Sequence, residues 1–274
     1  MGPDRNLEEI EFTIFDTETT GLDPKSGDRI IEIAAIRFKG TQNLQTFQSL
    51  INPGRQISEG AFSVHHINEE MLKDAPTAKE VLPQFLEFIH DTCLASYNAG
   101  FDLGFLNNEL KIIGRKELRD FVVVDVLKMA RRLLPGLGRY ALVCVAEKLG
   151  IGLTQKHRAL ADVELTLEVF NKLKNNLLEK GIVDFNNFIS LFGLSSEYLD
   201  NLTQQKVNQI QEAMDLGVRL KIKYVSTSGL VTERKVIPQE IIQENNRLYL
   251  VGHCFLRNDK RSFRIDSILD LEII

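Results

Sequence analysis

The 274-residue chain has no tryptophan, only three cysteines and no excess of positive charge. Each shortage excludes something. Cys93, Cys144 and Cys254 are odd in number, far apart and in no metal-ligand spacing, so they read as reduced, buried thiols in a cytoplasmic protein. No run approaches the roughly 18–20 apolar residues a membrane span needs. Residues 1–6 lack the basic-then-apolar layout of a secretory signal. The net charge of −5 gives no global reason to bind a polyanion. The last 71 residues hold eleven Lys/Arg against nine Asp/Glu, a net +2, which leaves −7 on the remainder. So acidic a part binds nucleic acid only if cations neutralise its carboxylates.

What is present is an ordinary globular composition, 43% hydrophobic and 26% charged, organised around Phe12-Thr13-Ile14-Phe15-Asp16-Thr17-Glu18-Thr19-Thr20-Gly21. An apolar run of strand type delivers two carboxylates and breaks at a glycine. Side chains two apart on a strand share a face, so Asp16 and Glu18 point the same way. Held that close they repel unless a hard divalent cation sits between them. A lone Asp-x-Glu is more often a polar strand end; the rest of the chain decides.

Further strands are predicted over 29–38, 46–51, 93–98 and 121–125, with mostly helical chain over 58–92. Asn68 and the Thr77–Glu80 capping box mark two helix starts. Helices follow the later strands, over 101–110, 126–134 and 141–149. The last begins around His157 and runs through Leu173, after a loop over 151–156. Strands alternating with helices indicate an α/β fold with a mixed sheet. Asp102 falls in a first helical turn, where the helix dipole alone would favour an acid. Residues 179–203 read as a helical connector, with short helices over 184–192 and 195–202. Another helix covers 207–216. Strand signals then dominate, over 220–226, 232–237, 247–255 and 261–265.

Asp16, Glu18, Asp102 and Asp162 thus stand at strand ends or on the helices crossing them, and His157 precedes Asp162 by five residues. Phe15-Asp16-Thr17-Glu18-Thr19-Thr20-Gly21, then Tyr97-Asn98-Ala99-Gly100-Phe101-Asp102, then His157-Arg158-Ala159-Leu160-Ala161-Asp162 occur in the order of three known motifs. Across residues 8–178 the chain resembles the DEDDh 3′–5′ exonucleases of the proofreading-subunit (DnaQ-like) type. The resemblance implies an RNase H-like sheet and two divalent ions, Mg²⁺ or Mn²⁺, held by the four acids. It makes His157 the general base and implies stepwise release of nucleoside 5′-monophosphates from a 3′ end. Thr17, Thr19 and Leu22 are expected to hold the terminal nucleotide. His66 stands in Val64-His65-His66-Ile67 where the family often has glycine.

Other residues carry two readings each. Asn98 contacts substrate or supports its turn. Phe101 stacks on a base or, from its spacing to Phe105, faces the core. Asp125 reads as a cap rather than a ligand, His65 as surface or not, and His90 and His253 as structural. Lys156 and Arg158 flank the histidine with positive charge.

Residues 204–274 resemble a WYL-type domain through Ile222-Lys223-Tyr224-Val225, Arg234 to Pro238, Arg247 to Gly252 and Arg261 to Ile268. Leu248 replaces the signature tryptophan. Such domains are similar to small Sm-like β barrels that bind nucleic acid or nucleotide ligands, which makes Tyr249, Arg261 and Arg264 candidate contacts. The competing reading puts Tyr249 and Phe263 in the core.

The expectation is therefore a two-metal 3′–5′ exonuclease in DNA replication or repair, acting on single-stranded or 3′-ended DNA, with no membrane association. A polymerase or repair protein is a possible partner. The alternatives are an RNA-trimming exonuclease and a non-catalytic 3′-end-binding protein.

Overall fold

The computed structural model describes residues 5–119, 121–152, 157–194 and 196–274. Its central strand is β1 (Glu11–Thr19). On one side β1 pairs antiparallel with β2 (Ile30–Lys39), and β2 with β3 (Gln42–Leu50). On the other it pairs parallel with β4 (Cys93–Ser96), and β4 with β5 (Val123–Asp125). The sheet order is β3-β2-β1-β4-β5, the mixed sheet that the alternation of elements predicts. Between β3 and β4 lie helices α1 (Glu59–His65), α2 (Glu69–Leu72) and α3 (Ala78–Phe88). Asn68 caps α2 by accepting from Met71 N–H, and Glu80 Oε2 accepts from Thr77 N–H at 2.8 Å at the head of α3. Helix α4 (Ala99–Ile112) leads from β4 towards β5, and α5 (Val126–Leu133), α6 (Leu142–Lys148) and α7 (Ala159–Glu179) follow β5.

Strand alternation sorts this sheet into two cores. Phe12 and Ile14 of β1, with Ala34, Ile36 and Phe38 of β2, join one cluster with Val163 and Phe170 of α7. Phe15, Ile33 and Ala35 join the other with Phe85 of α3 and Phe105 of α4. The first cluster also contains Phe185, Phe188, Ile189 and Phe192 of α8 (Phe185–Phe192), and Phe12 packs against Phe185 and Phe188. Segment 179–203 is thus more than a tether: its first helix closes the aromatic core. Truncating Phe12 to alanine would cost about 3–5 kcal/mol.

The next helix, α9, is continuous over Glu197–Asp215, where the sequence suggests two helices. No glycine or proline interrupts residues 197–215, and the mild propensity losses of Asn, Thr and Gln do not break a helix whose Ile210 and Ala213 are buried. Strands β6 (Leu220–Val225), β7 (Val231–Glu244), β8 (Arg247–Cys254), β9 (Asp259–Arg264) and β10 (Ile268–Ile273) form an antiparallel sheet in the order β10-β6-β7-β8-β9. Two features differ from expectation. β7 continues seven residues past Ile237, because Pro238 falls at a register shift where its missing N–H is tolerated. β10 is an additional strand, with Ile268, Leu271 and Ile273 packing on the cluster of Ile222 and Leu250. Cys93 and Cys254 are buried free thiols as expected, but Cys144 is partly exposed.

Candidate active site

β1 presents Asp16 and Glu18 on the face that meets α7, the same face as Phe12 and Ile14. Asp162 arrives from the first turn of α7, where an acid also suits the helix dipole. Carboxylate oxygens of Asp16, Glu18 and Asp162 all lie within 4.8 Å of one another. Thr17 turns the opposite way and takes hold of Asp102, in the first turn of α4. Asp102 Oδ1 accepts from Thr17 N–H at 3.0 Å and from its hydroxyl at 2.7 Å, and Oδ2 accepts from the Ser96 hydroxyl at 2.6 Å. The four acids therefore converge on the end of β1. Three form the tight group, and Asp102 stands beside them tied to the strand.

The electrostatics follow from crowding. Burial, then Asp102, Glu18, Asp162 and Glu32, hold the Asp16 carboxyl well above the ordinary range. Glu18 is pushed up to about 8 by burial and then by Asp162, Glu32 and Asp102. Burial raises Asp102 to about 6 against the pull of its Ser96 and Thr17 hydrogen bonds. Clustered carboxylates that resist ionising are relieved by a cation, and an all-oxygen donor set suits a hard divalent one. The residues present fit that group.

Two residues that motif reasoning passed over set this geometry. Glu32 is the cross-strand partner of Glu18 and is wholly buried. It accepts from Arg158 Nε at 3.0 Å and Nη2 at 2.8 Å, from Gln48 at 3.0 Å and from Ala159 N–H at 3.1 Å. Burial works to raise its pKa, but these donors outweigh it and hold Glu32 below the usual range. The clamp fixes the start of α7. A charge inside the apolar run Ile30-Ile31-Glu32-Ile33 was the signal available. Likewise Glu109 of α4 takes a bidentate grip on Arg29 at 2.6 and 2.7 Å, joining α4 to the start of β2.

His157 sits at the rim, its side chain 46% exposed, with Nδ1 3.9 Å from Asp162 Oδ2. Its φ of 50° is left-handed, a costly conformation for a residue other than glycine and one that collects at functional sites. Lys156 lies outside the described residues. Leu22 projects from the turn after Gly21 with 84% exposure. The Thr19 hydroxyl donates to Gly21 O at 2.6 Å and so shapes that turn. Asn98, at φ 65°, makes the left-handed entry to α4, and half-buried Phe101 tilts against Phe105 at 4.9 Å.

Asp125 caps α5 by accepting from Leu127 N–H at 2.9 Å and Lys128 N–H at 3.3 Å. His65 is buried, its Nδ1 accepting from Ile67 N–H at 3.0 Å, so a surface role is excluded. His66 closes α1 at φ 56°, the conformation a glycine there adopts without strain. His90 is exposed beside Asp91, and His253 meets Phe255 edge-on. In the C-terminal sheet Tyr249 is half-buried and Phe263 buried. Arg261 is exposed 3.6 Å from Asp259, and Arg264 is ion-paired with Asp266. All three candidate contacts, Tyr249 on β8 and Arg261 and Arg264 on β9, belong to the second sheet and not to the one that carries Asp16 and Glu18.

The profile of the "Exonuclease" family (RNase T type) matches residues 13–170, and that of the "WYL domain" matches 205–273. The chain is similar to "DNA polymerase III PolC-type" of Staphylococcus haemolyticus, 31% identical over 91% of this chain, and of Staphylococcus aureus, 30% identical over 90%. It spans only 17% of the length of either. Among solved structures, Exonuclease X in complex with 5′ overhanging duplex DNA is 26% identical, with a TM-score of 0.50 over 60% of this chain and 92% of that one. E. coli Exonuclease I in complex with a dA16 oligonucleotide shares the fold over 89% of this chain and 55% of that one, at a TM-score of 0.57 and 17% identity. The exonuclease match covers more than half of the chain and takes in Asp16, Glu18, Asp102, His157 and Asp162; the chain belongs to the exonuclease family.

Proposed function

We propose that the chain is a metal-dependent 3′–5′ exonuclease that hydrolyses DNA from its 3′ end and releases nucleoside 5′-monophosphates. The observation carrying this reading is the convergence of Asp16, Glu18 and Asp162 within 4.8 Å, with Asp102 fastened alongside. Divalent ions bound there, Mg²⁺ or Mn²⁺, supply charge stabilisation to the attacking and leaving oxygens of an in-line displacement.

The chain's own residues do the rest. Asp16, Glu18 and Asp162 offer the ligand oxygens, and Thr17 and Ser96 orient Asp102. The Glu32–Arg158 clamp sets the start of the helix that carries Asp162. His157, held at the rim, takes the proton of the attacking water. Leu22 packs against the terminal nucleotide, with Thr17 and Thr19 lining the turn it projects from and Asn98 and Phe101 on the α4 side. The working organisation is a catalytic unit over 8–178, a helical segment over 179–203 and a β-rich unit over 204–274 that binds nucleic acid through Tyr249, Arg261 and Arg264. DNA is favoured over RNA because Exonuclease X was solved with duplex DNA and the relatives are DNA polymerases, which also suggests proofreading.

The test is mononucleotide release from a 3′-labelled DNA strand with Mg²⁺ or Mn²⁺, beside a matched RNA strand. Asp16→Ala and Asp162→Ala should abolish it. Activity that survives both substitutions would overturn the site, and faster turnover of RNA would overturn the DNA assignment.

A further inference from the structure

Although the chain is acidic overall, one cavity of about 410 Å³ between α5 and the C-terminal sheet is lined by Lys128, Arg131, Arg132, Arg247 and Arg264, with Asp125 the one lining carboxylate. Part of this charge is committed. Asp125 caps α5, and Arg264 is paired with Asp266. Arg132 Nη2 donates to Val225 O at 3.0 Å and Ser267 Oγ at 2.9 Å, which fixes the sheet against α5. Lys128 Nζ donates to Gly193 O at 3.0 Å.

The rest is not committed. Arg131 and Arg247 are exposed, and among the described residues neither side chain makes an ion pair or hydrogen bond. Arg132 Nε is buried with no acceptor. Burial, and then the charge of Arg264, lower the pKa of Arg132. Converging cations around one opening repel one another, and an anion between them removes that cost.

The location gives the anion its identity. Asp125 ends β5 opposite Ser96, the last residue of β4, and the Ser96 hydroxyl holds Asp102. Because β1, β4 and β5 run parallel, the α5 wall of the cavity rises from the same edge of the sheet as the carboxylates. Adjacent strands are about 4.8 Å apart, so β5 is two such steps from β1.

We infer that this cavity binds phosphates of the strand whose 3′ end lies at the carboxylates, so that the catalytic unit and the C-terminal sheet hold one substrate between them. The identity of the strand rests on the exonuclease reading; the anion site itself does not.

The experiment uses the full chain in EDTA and measures anisotropy of a fluorescent single strand of about 20 nucleotides, more than one small β domain covers alone. Arg131→Gln/Arg247→Gln should weaken binding about tenfold. It should also flatten the salt dependence by about 1.4, at roughly 0.7 for each phosphate no longer neutralised. Arg131→Lys/Arg247→Lys should keep most of the affinity, which separates a charge effect from a folding defect. With Mn²⁺, the nitrophenyl ester of thymidine 5′-monophosphate, which has no upstream phosphate, should be hydrolysed by the Gln variant at the unsubstituted rate. Unchanged affinity and salt slope would overturn the inference, as would an equal loss on the ester or displacement of the strand by equimolar mononucleotide. If the unsubstituted chain hydrolyses neither strand nor ester, the exonuclease reading fails, while anisotropy still decides the site.

Discussion

Glu32 and Arg158 stand 126 positions apart and meet in a two-pronged ion pair at 2.8 and 3.0 Å. Glu32 also sits directly across from Glu18, so of two carboxylates facing each other on neighbouring strands only one has an arginine of its own. The other is left for a cation. Removing one partner of a fully buried pair costs about 3–5 kcal/mol. Arg158 is 39% exposed, so Arg158→Ala is expected to cost about 1–3 kcal/mol after solvent screening. Urea unfolding checks that figure. kcat should fall more than KM rises, because the start of α7 loosens while the strand-binding surface stays.

The crowded carboxylates predict a pH dependence opposite to that of a salt-bridged protein. Glu18 has an ordinary value of 4.5 and is raised to about 8 in the fold. Below 4.5 both states are protonated. As pH climbs, the unfolded chain ionises first, so stability is lost from about 4.5 until about 8 and then levels off. Asp102, raised to about 6, adds to the lower part of that window. Melting temperatures in EDTA should fall across this range, and Mn²⁺ should abolish the slope. Asp16→Asn should raise the metal-free melting temperature by a few degrees while erasing activity, the trade expected where function stores repulsion.

For His157→Ala, turnover is expected to fall about 10²–10⁴-fold, the usual worth of a positioned general base. Calorimetric titration with Mn²⁺ should give near-normal affinity, since the tight group consists of Asp16, Glu18 and Asp162. A matching collapse of metal affinity would make the histidine a structural prop of Asp162 instead.

The turn after β1 separates shape from contact. A Cβ at Gly21 would meet Asp28 Oδ2 at 2.3 Å. That carboxylate is pinned by the Thr20 hydroxyl and Asp23 N–H, so Gly21→Ala should cost about 1–3 kcal/mol through overpacking. Leu22→Ala, at a side chain 84% exposed, should leave stability within about 0.5 kcal/mol. Steady-state kinetics should show a three- to tenfold higher KM for the strand, of order 1 kcal/mol. An unchanged KM would remove Leu22 from the nucleotide contacts.

Asp16 and Glu18 were legible from period two on one strand, whereas Asp102 and Asp162 were legible only through the ordered motifs, since a helix dipole alone explains an acid in a first turn. The Glu32–Arg158 clamp was not, since no local rule links positions that far apart, although a glutamate among isoleucines in a central strand marked a buried partner. β10 was hidden because Ile268 to Ile273 pairs with β6 through a register shift between Ile268 and Asp270 that scrambles the alternation. α9 looked divided because its polar middle gives no apolar rhythm. Among the described residues no helix is long and apolar enough to cross a bilayer.

The unbroken α9 has a mechanical corollary. It leaves α8, whose phenylalanines are wedged beside Phe12, and passes under the C-terminal sheet, where Lys206 Nζ donates to Ile268 O at 2.7 Å. Held at both ends, the helix works as a splint, and its length sets how far the C-terminal sheet stands from the aromatic core: adding one turn would lengthen it by about 5.4 Å.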